Sequence, residues 1–165
     1  MTSRADPKFD PASVEGAKKR ALWLLDKRDY SRAELLKKLT EKGYTDAAAG
    51  AAVDRLTELG VVDDARYAPL VVRHYAAKGY GARRVRDELL RRGIPKALWD
   101  AAMAEMPEQD ESADRLLRAR LRGADPSDRA ALNRAAAALL RRGYGWDEIN
   151  AAVERLRAET EESYE

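Results

Sequence analysis

Apolar positions along this chain recur at intervals of three and four residues, and no segment shows the strict alternation of a half-buried strand. The pattern predicts helices only. The first runs from about Ala17 to Arg28, with Ala21, Leu22, Trp23, Leu24 and Leu25 in its apolar stripe. A second starts at Ser31, where Ser31 and Glu34 fit a capping box in which each side chain serves the other residue's free N–H. It stops at Gly43, a residue suited to the left-handed position just past a helix end. A third runs from about Asp46 to Leu59 and ends at Gly60.

The same layout returns twice. Gly43, Gly93 and Gly143 recur every 50 residues, each after a basic helix end and before a large apolar residue: Tyr44, Ile94, Tyr144. Leu35, Val85 and Ala135 correspond, as do Leu39, Leu89 and Leu139, Ala52, Ala102 and Ala152, and Val53, Met103 and Val153. Matches in one register predict three related three-helix units. Unit boundaries are expected at 16–60, 61–107 and 108–158, with tails at 1–15 and 159–165. In the second unit Asp63 or Asp64 can cap a helix whose apolar face is Tyr67, Leu70, Val71, His74 and Tyr75. Pro69 predicts a kink or a later start there. A helix over about Ala82 to Arg92 follows, and Pro95 opens the third, lined by Trp99, Ala102, Met103 and Met106. The last unit has helices near Glu111–Arg122, Ser127–Arg142 and Trp146–Ala158. Trp23, His74, Trp99 and Trp146 are expected in the core. The fold class is all-α, with three tandem helix-turn-helix-like repeats.

The 165 residues carry 31 Lys and Arg against 29 Asp and Glu, a net charge of +2 that points to no partner. Resolved along the chain, it is a cancellation. Residues 16–42 hold nine basic and four acidic side chains, 65–92 hold eight and two, and 115–142 hold eight and two. The blocks between, 44–64, 105–114 and 147–165, are acidic. The first two helices of each unit are basic and the third helix or its tail is acidic. Pairs four apart, such as Arg83 with Asp87 and Arg84 with Glu88, account for part of this as local helix support. The alternative is a row of basic surfaces one repeat apart, suited to a polyelectrolyte or a filament with periodic charge. Arg66 and Arg86 have no acid four residues on and are candidates for an external partner. Tyr80, set between Gly79 and Gly81, either stacks on a partner or packs beneath its turn.

Catalytic chemistry finds no footing. There is no cysteine, one histidine, no phosphate-binding loop and no dinucleotide fingerprint after a strand. Adjacent Asp63 and Asp64 diverge on a helix and read as caps, not as a magnesium site. Ser31, Ser112 and Ser127 sit where caps belong. No metal, no cofactor and no enzymatic activity are expected. No apolar run suits a membrane span, and no secretory leader shows over Met1–Gly16, so a cytoplasmic protein is expected.

The segments SRAELLKKLTEKGY (31–44), LTELGVVDDARYA (56–68) and KGYGARRVRDELLRRGI (78–94) together resemble the RecX family of bacterial recombination regulators. Asp63 and Asp64 followed by Arg66, Tyr67 and Ala68 are the sharpest piece. Lys78, Gly79 and Gly81 before a basic helix, and the closing Arg92, Gly93 and Ile94, support it. The resemblance is strongest over about 20–95 and continues over 96–158, where LRRGYGWDEINAAVERL resembles the family's final repeat. Pro69 and the alanine-rich second helix of the third unit depart from the family pattern.

The resemblance implies an elongated, curved array of three-helix repeats. It implies a monomer that binds the RecA recombinase filament on single-stranded DNA and inhibits or modulates its recombinase, ATPase and coprotease activities in DNA repair and the SOS response. Weak direct DNA binding is compatible with it. Taken with the charge pattern, it points to Arg66, Tyr67, Tyr80, Arg83, Arg84, Arg86, Arg91 and Arg92 as the contact surface of the middle repeat. The alternatives are a direct DNA-binding helix-turn-helix-like protein and an adaptor that binds proteins alone.

Overall fold

The structure is a computed structural model and describes residues 8–164. Among these residues there are nine α-helices and no strand: α1 (Val14–Leu25), α2 (Arg32–Lys42), α3 (Asp46–Glu58), α4 (Asp64–Ala77), α5 (Ala82–Arg91), α6 (Trp99–Met103), α7 (Gln109–Leu121), α8 (Arg129–Arg141) and α9 (Trp146–Glu162). A single 3-10 turn, Lys96–Leu98, leads into α6. The chain forms two compact units, Met1–Tyr67 with Arg91–Leu98, and Ala68–Leu90 with Trp99–Glu165. The middle repeat is therefore divided between them, since α4 and α5 each contribute to both.

Local chemistry sets most boundaries. Ser31 and Glu34 form the reciprocal capping box, and Gly43 ends α2 in the left-handed region at φ 113°. Thr45 caps α3 through the Ala48 N–H. α1 begins three residues before the expected Ala17, because the Ser13 hydroxyl accepts from the Gly16 N–H. Of the expected N-terminal tail, residues 1–7 lie outside the described residues. Phe9 stacks at 4.8 Å on Tyr44, and the Thr45 N–H donates to the Pro11 carbonyl at 2.9 Å. At the other end α9 continues to Glu162, while Glu165 lies outside the described residues. Ser127 is not a cap: Asp128 accepts from the Ala130 and Ala131 N–H groups and starts α8 at Arg129. Ser112 lies inside α7. Pro69 does not delay α4, which starts at Asp64 and runs through it.

Each unit has its own core. In the first, Ala17, Ala21 and Leu24 of α1 meet Leu35 and Leu39 of α2 and Ala52, Val53 and Leu56 of α3. In the second, Leu117 and Leu121 of α7 meet Ala135 and Leu139 of α8 and Ile149, Ala152 and Val153 of α9. The positions matched at a spacing of one hundred residues, such as Leu39 with Leu139 and Ala52 with Ala152, carry the same burden. Removing a leucine buried this fully costs about 2–5 kcal/mol.

Three aromatic expectations fail. Trp23 is 51% exposed, because α1 buries the stripe Ala17, Ala21 and Leu24, one residue away around the helix. The Arg20 guanidinium lies over its ring at 4.3 Å. Trp146, the first residue of α9, is 57% exposed, one turn ahead of buried Ile149. His74 is exposed as well. The buried residues of α4 include Ala68, Val71 and Val72, so the packed stripe is rotated away from Leu70 and His74. Trp99 is half-buried.

Candidate partner-binding surface

Most of the residues singled out in the sequence fall at or beside two joints, one in each compact unit, where a helix N-terminus receives a basic turn. In the first unit, the N-terminus of α2 receives the turn that follows α5. The Ser31 hydroxyl, fully buried, accepts from the Glu34 N–H and donates to the Arg92 carbonyl. Gly93 sits at φ 67°, and a Cβ built on it would lie 2.5 Å from the Ala33 Cβ, so only glycine lets the turn approach this closely. Arg92 Nε donates to Tyr67 Oη at 3.2 Å, with Glu34 4.0 Å from the same guanidinium. Burial, and secondarily the Glu34 charge, push the Tyr67 phenol above its usual pKa, with Arg92 opposing them.

The acidic pair divides its work. Asp63 accepts from the Arg66 N–H at 3.2 Å and so serves its own helix, α4. Asp64, buried, accepts from the Arg32 N–H at 3.0 Å and so serves the first turn of α2, 32 positions earlier. The Arg66 guanidinium donates to the Gly60 and Val61 carbonyls at 3.3 Å each, holding the loop after α3. Ala68 is fully buried. The motif that carries the family resemblance most sharply thus does architectural work.

In the second unit, the N-terminus of α5 receives the turn that follows α8. The Gly81 N–H donates to the Arg142 carbonyl at 2.8 Å, and the Arg83 N–H to the Gly143 carbonyl at 3.2 Å. A Cβ on Gly81 would lie 2.6 Å from the Gly143 carbonyl carbon and oxygen, and one on Gly143 would lie 2.5 Å from the Arg84 nitrogen. Tyr144 Oη donates to the Gly79 carbonyl at 3.0 Å, and the Arg142 guanidinium to the Lys78 carbonyl at 3.2 Å. Burial and the nearby Glu148 raise the Tyr144 pKa. Tyr80 is half-buried, with Arg142 over its ring at 4.7 Å and Arg84 at 5.5 Å, which favours the packed reading over a free stacking platform.

The expected contact residues therefore separate by role. Arg66, Tyr67 and Arg92 lie in the first unit and are engaged in its joint. Arg91 is exposed in the same unit. In the second unit Arg84 pairs with buried Glu88 at 3.0 Å. Arg83 and Arg86, three apart on α5, are exposed, and their side chains have no ion pair or hydrogen bond among the described residues. Asp87 forms no ion pair among them either, so the anticipated Arg83–Asp87 pair is absent. Sequence reasoning passed over a second set of free cations, Arg120, Arg122, Arg134 and Arg141 around the α7–α8 turn. The signal was available in the repeat register: Glu34, Arg84 and Arg134 occupy one position, and its charge reverses after the first repeat. Among the described residues no group of His, Asp and Glu is placed to hold a metal ion, and no helix is long and apolar enough to cross a membrane.

Comparison with known proteins gives one answer throughout. Models of the first, second and third three-helix domains of RecX match residues 17–56, 63–103 and 108–153. The regulatory protein RecX of Stenotrophomonas maltophilia strain K279a is 44% identical over 135 residues, covering 81% of this chain and 83% of the relative. That of Vibrio campbellii is 35% identical over 143 residues, covering 86% and 92%. The crystal structure of RecX from Lactobacillus salivarius superposes with a TM-score of 0.79 at 21% identity, over 88% of this chain and 97% of that one, and shares the fold. With all three domains matched in order and most of each relative covered, the chain belongs to the RecX family of regulatory proteins.

Proposed function

We propose that this protein binds the RecA filament assembled on single-stranded DNA and restrains it, lowering strand exchange, ATP hydrolysis and coprotease activity, as a non-enzymatic regulator in the cytoplasm. The working units are the repeats 16–60, 61–107 and 108–158. The observation that carries the reading beyond family membership is the pair Arg83 and Arg86. Both project from α5 with no internal carboxylate to satisfy them. Guanidinium groups left unpaired at a surface match the phosphates and carboxylates a nucleoprotein filament presents. The acidic third helices disfavour a plain duplex-binding role, because phosphates would repel them.

The test is a titration of labelled protein against free single-stranded DNA, duplex DNA, free RecA, and RecA assembled on single-stranded DNA with a slowly hydrolysed nucleotide. Preferential binding to the assembled filament is expected. Equal affinity for bare duplex would replace this reading with direct DNA binding, and equal affinity for free RecA with a protein-only adaptor. R83E/R86E should weaken filament inhibition at unchanged helical content. Arg84 is left intact there because its pairing with buried Glu88 is structural.

A further inference from the structure

In both joints the docked turn rests on equivalent positions of the receiving repeat. Ser31 and Glu34 at the start of α2 correspond to Gly81 and Arg84 at the start of α5. One repeat further on, these positions are Ala131 and Arg134 of α8. There no turn is docked among the described residues. Instead a cavity of about 420 Å³ opens, lined by α7, α8 and the turn between them.

Its chemistry differs from the occupied joints. Arg120, Arg122, Arg134 and Arg141 surround it, all exposed and all without a side-chain partner among the described residues. The one acid in the lining, Asp128, is already accepting from the Ala130 and Ala131 N–H groups. The first joint meets its basic turn with Glu34, 4.0 Å from Arg92. The second joint carries Arg84 in that place but pairs it with Glu88, four residues on, at 3.0 Å. In the third repeat the residue four on from Arg134 is Ala138, so this guanidinium has no carboxylate beside it and is left to attract an anion. Leu121, Ala124, Ala131 and Ala138 make the apolar part of the lining, and the cavity offers no aromatic side chain. Without an aromatic ring the lining has no stacking platform for a base, so its charges define what it selects. Phosphate contacts need cations and little else.

We propose that this cavity binds the phosphodiester backbone of a single nucleic-acid strand, independent of base sequence. This deepens the filament reading by naming which partner the third repeat touches. Its test uses bare strands, so it can fail while filament binding stands, and the reverse.

The experiment measures binding of a fluorescent 20-mer of deoxythymidine, and of an abasic 20-mer, by anisotropy across a salt series. The wild-type protein is compared with R120Q/R122Q/R134Q/R141Q, and with R134Q/R141Q should the fourfold variant lose helical content. Wild type should bind both strands within a few-fold of each other. For the fourfold variant the slope of log K against log salt should flatten by about 2–3, at about 0.7 for each phosphate no longer neutralised; the double variant should show about half of that change. Two results overturn the proposal. One is a slope unchanged by the substitutions, which includes wild type showing no salt-dependent binding. The other is displacement of the abasic strand by polyglutamate as readily as by unlabelled abasic strand at equal charge, which would assign the cavity to an acidic protein surface.

Discussion

Gly81→Ala isolates the joint between α5 and the turn after α8. Gly81 is not among the positive-φ residues, so alanine meets no backbone strain there. Its Cβ would lie 2.6 Å from the Gly143 carbonyl carbon and oxygen and 2.7 Å from the Tyr144 nitrogen, all backbone atoms that cannot swing aside. Reaching ordinary contact, 3.4 Å or more, forces the two backbones apart. That stretches the 2.8 Å bond from Gly81 to Arg142 and the 3.2 Å bond from Arg83 to Gly143. Two weakened hydrogen bonds cost about 0.5–1.5 kcal/mol each. Overpacking adds about 1–3 kcal/mol. The reduced freedom of the unfolded chain returns about 0.4–1 kcal/mol. The net is a destabilisation of about 1–5.5 kcal/mol, centred near 3, from these terms. Gly79→Ala is the control: its φ is +83° but nothing lies within 4 Å of the new methyl, so only left-handed strain of about 1–2 kcal/mol applies. Urea unfolding followed by circular dichroism and by tryptophan fluorescence measures both variants. A loss at Gly81 no larger than that at Gly79 would refute the close backbone contact as a source of stability.

Two further outcomes follow from the first unit and from the buried phenols. Ser31→Ala removes the cap of α2 and leaves the Arg92 carbonyl without its hydroxyl donor, and should lower stability by about 1–3 kcal/mol in a thermal melt. Tyr67 and Tyr144 have folded pKa values raised above the ordinary 10.0, so the stability they supply is complete below pH 10. It is lost as pH rises through the folded values, because the unfolded chain releases those protons first. Tyr67→Phe should therefore shallow the alkaline fall in unfolding free energy, read from denaturation series on either side of pH 10; an unchanged profile would contradict the burial of that phenol.

The fold was largely legible because its signals are local or repeated. Glycine spacing, the capping box at Ser31 and the correspondence of Leu39 with Leu139 are properties of short segments, and the structure uses each in the expected way. What escaped depends on partners distant in sequence. Two stripes on α4 share Val71, and periodicity could not say which faces inward; the one through Ala68 and Val72 does. Trp23 belongs to an apolar run by composition, yet the narrow alanine stripe beside it makes the close contact. Asp64 reads as a cap of its own helix and serves another one 32 positions away. The candidate site was less legible for the same reason. Arginine is one letter whether its guanidinium holds carbonyls, as Arg66 does, or stands unpaired, as Arg86 does.

The two joints have a consequence for how such a chain can change. In the joint at α5 main chain bonds to main chain, and in both joints glycines clear the way; the side chains that take part, such as Ser31, Tyr67 and Tyr144, are buried or half-buried. Substituting an exposed arginine on α5 or α8 therefore need not disturb the stacking of one repeat on the next. Attachment and recognition are specified by separate positions, so selection can re-tune each repeat's charge for its own stretch of partner while the scaffold is inherited unchanged.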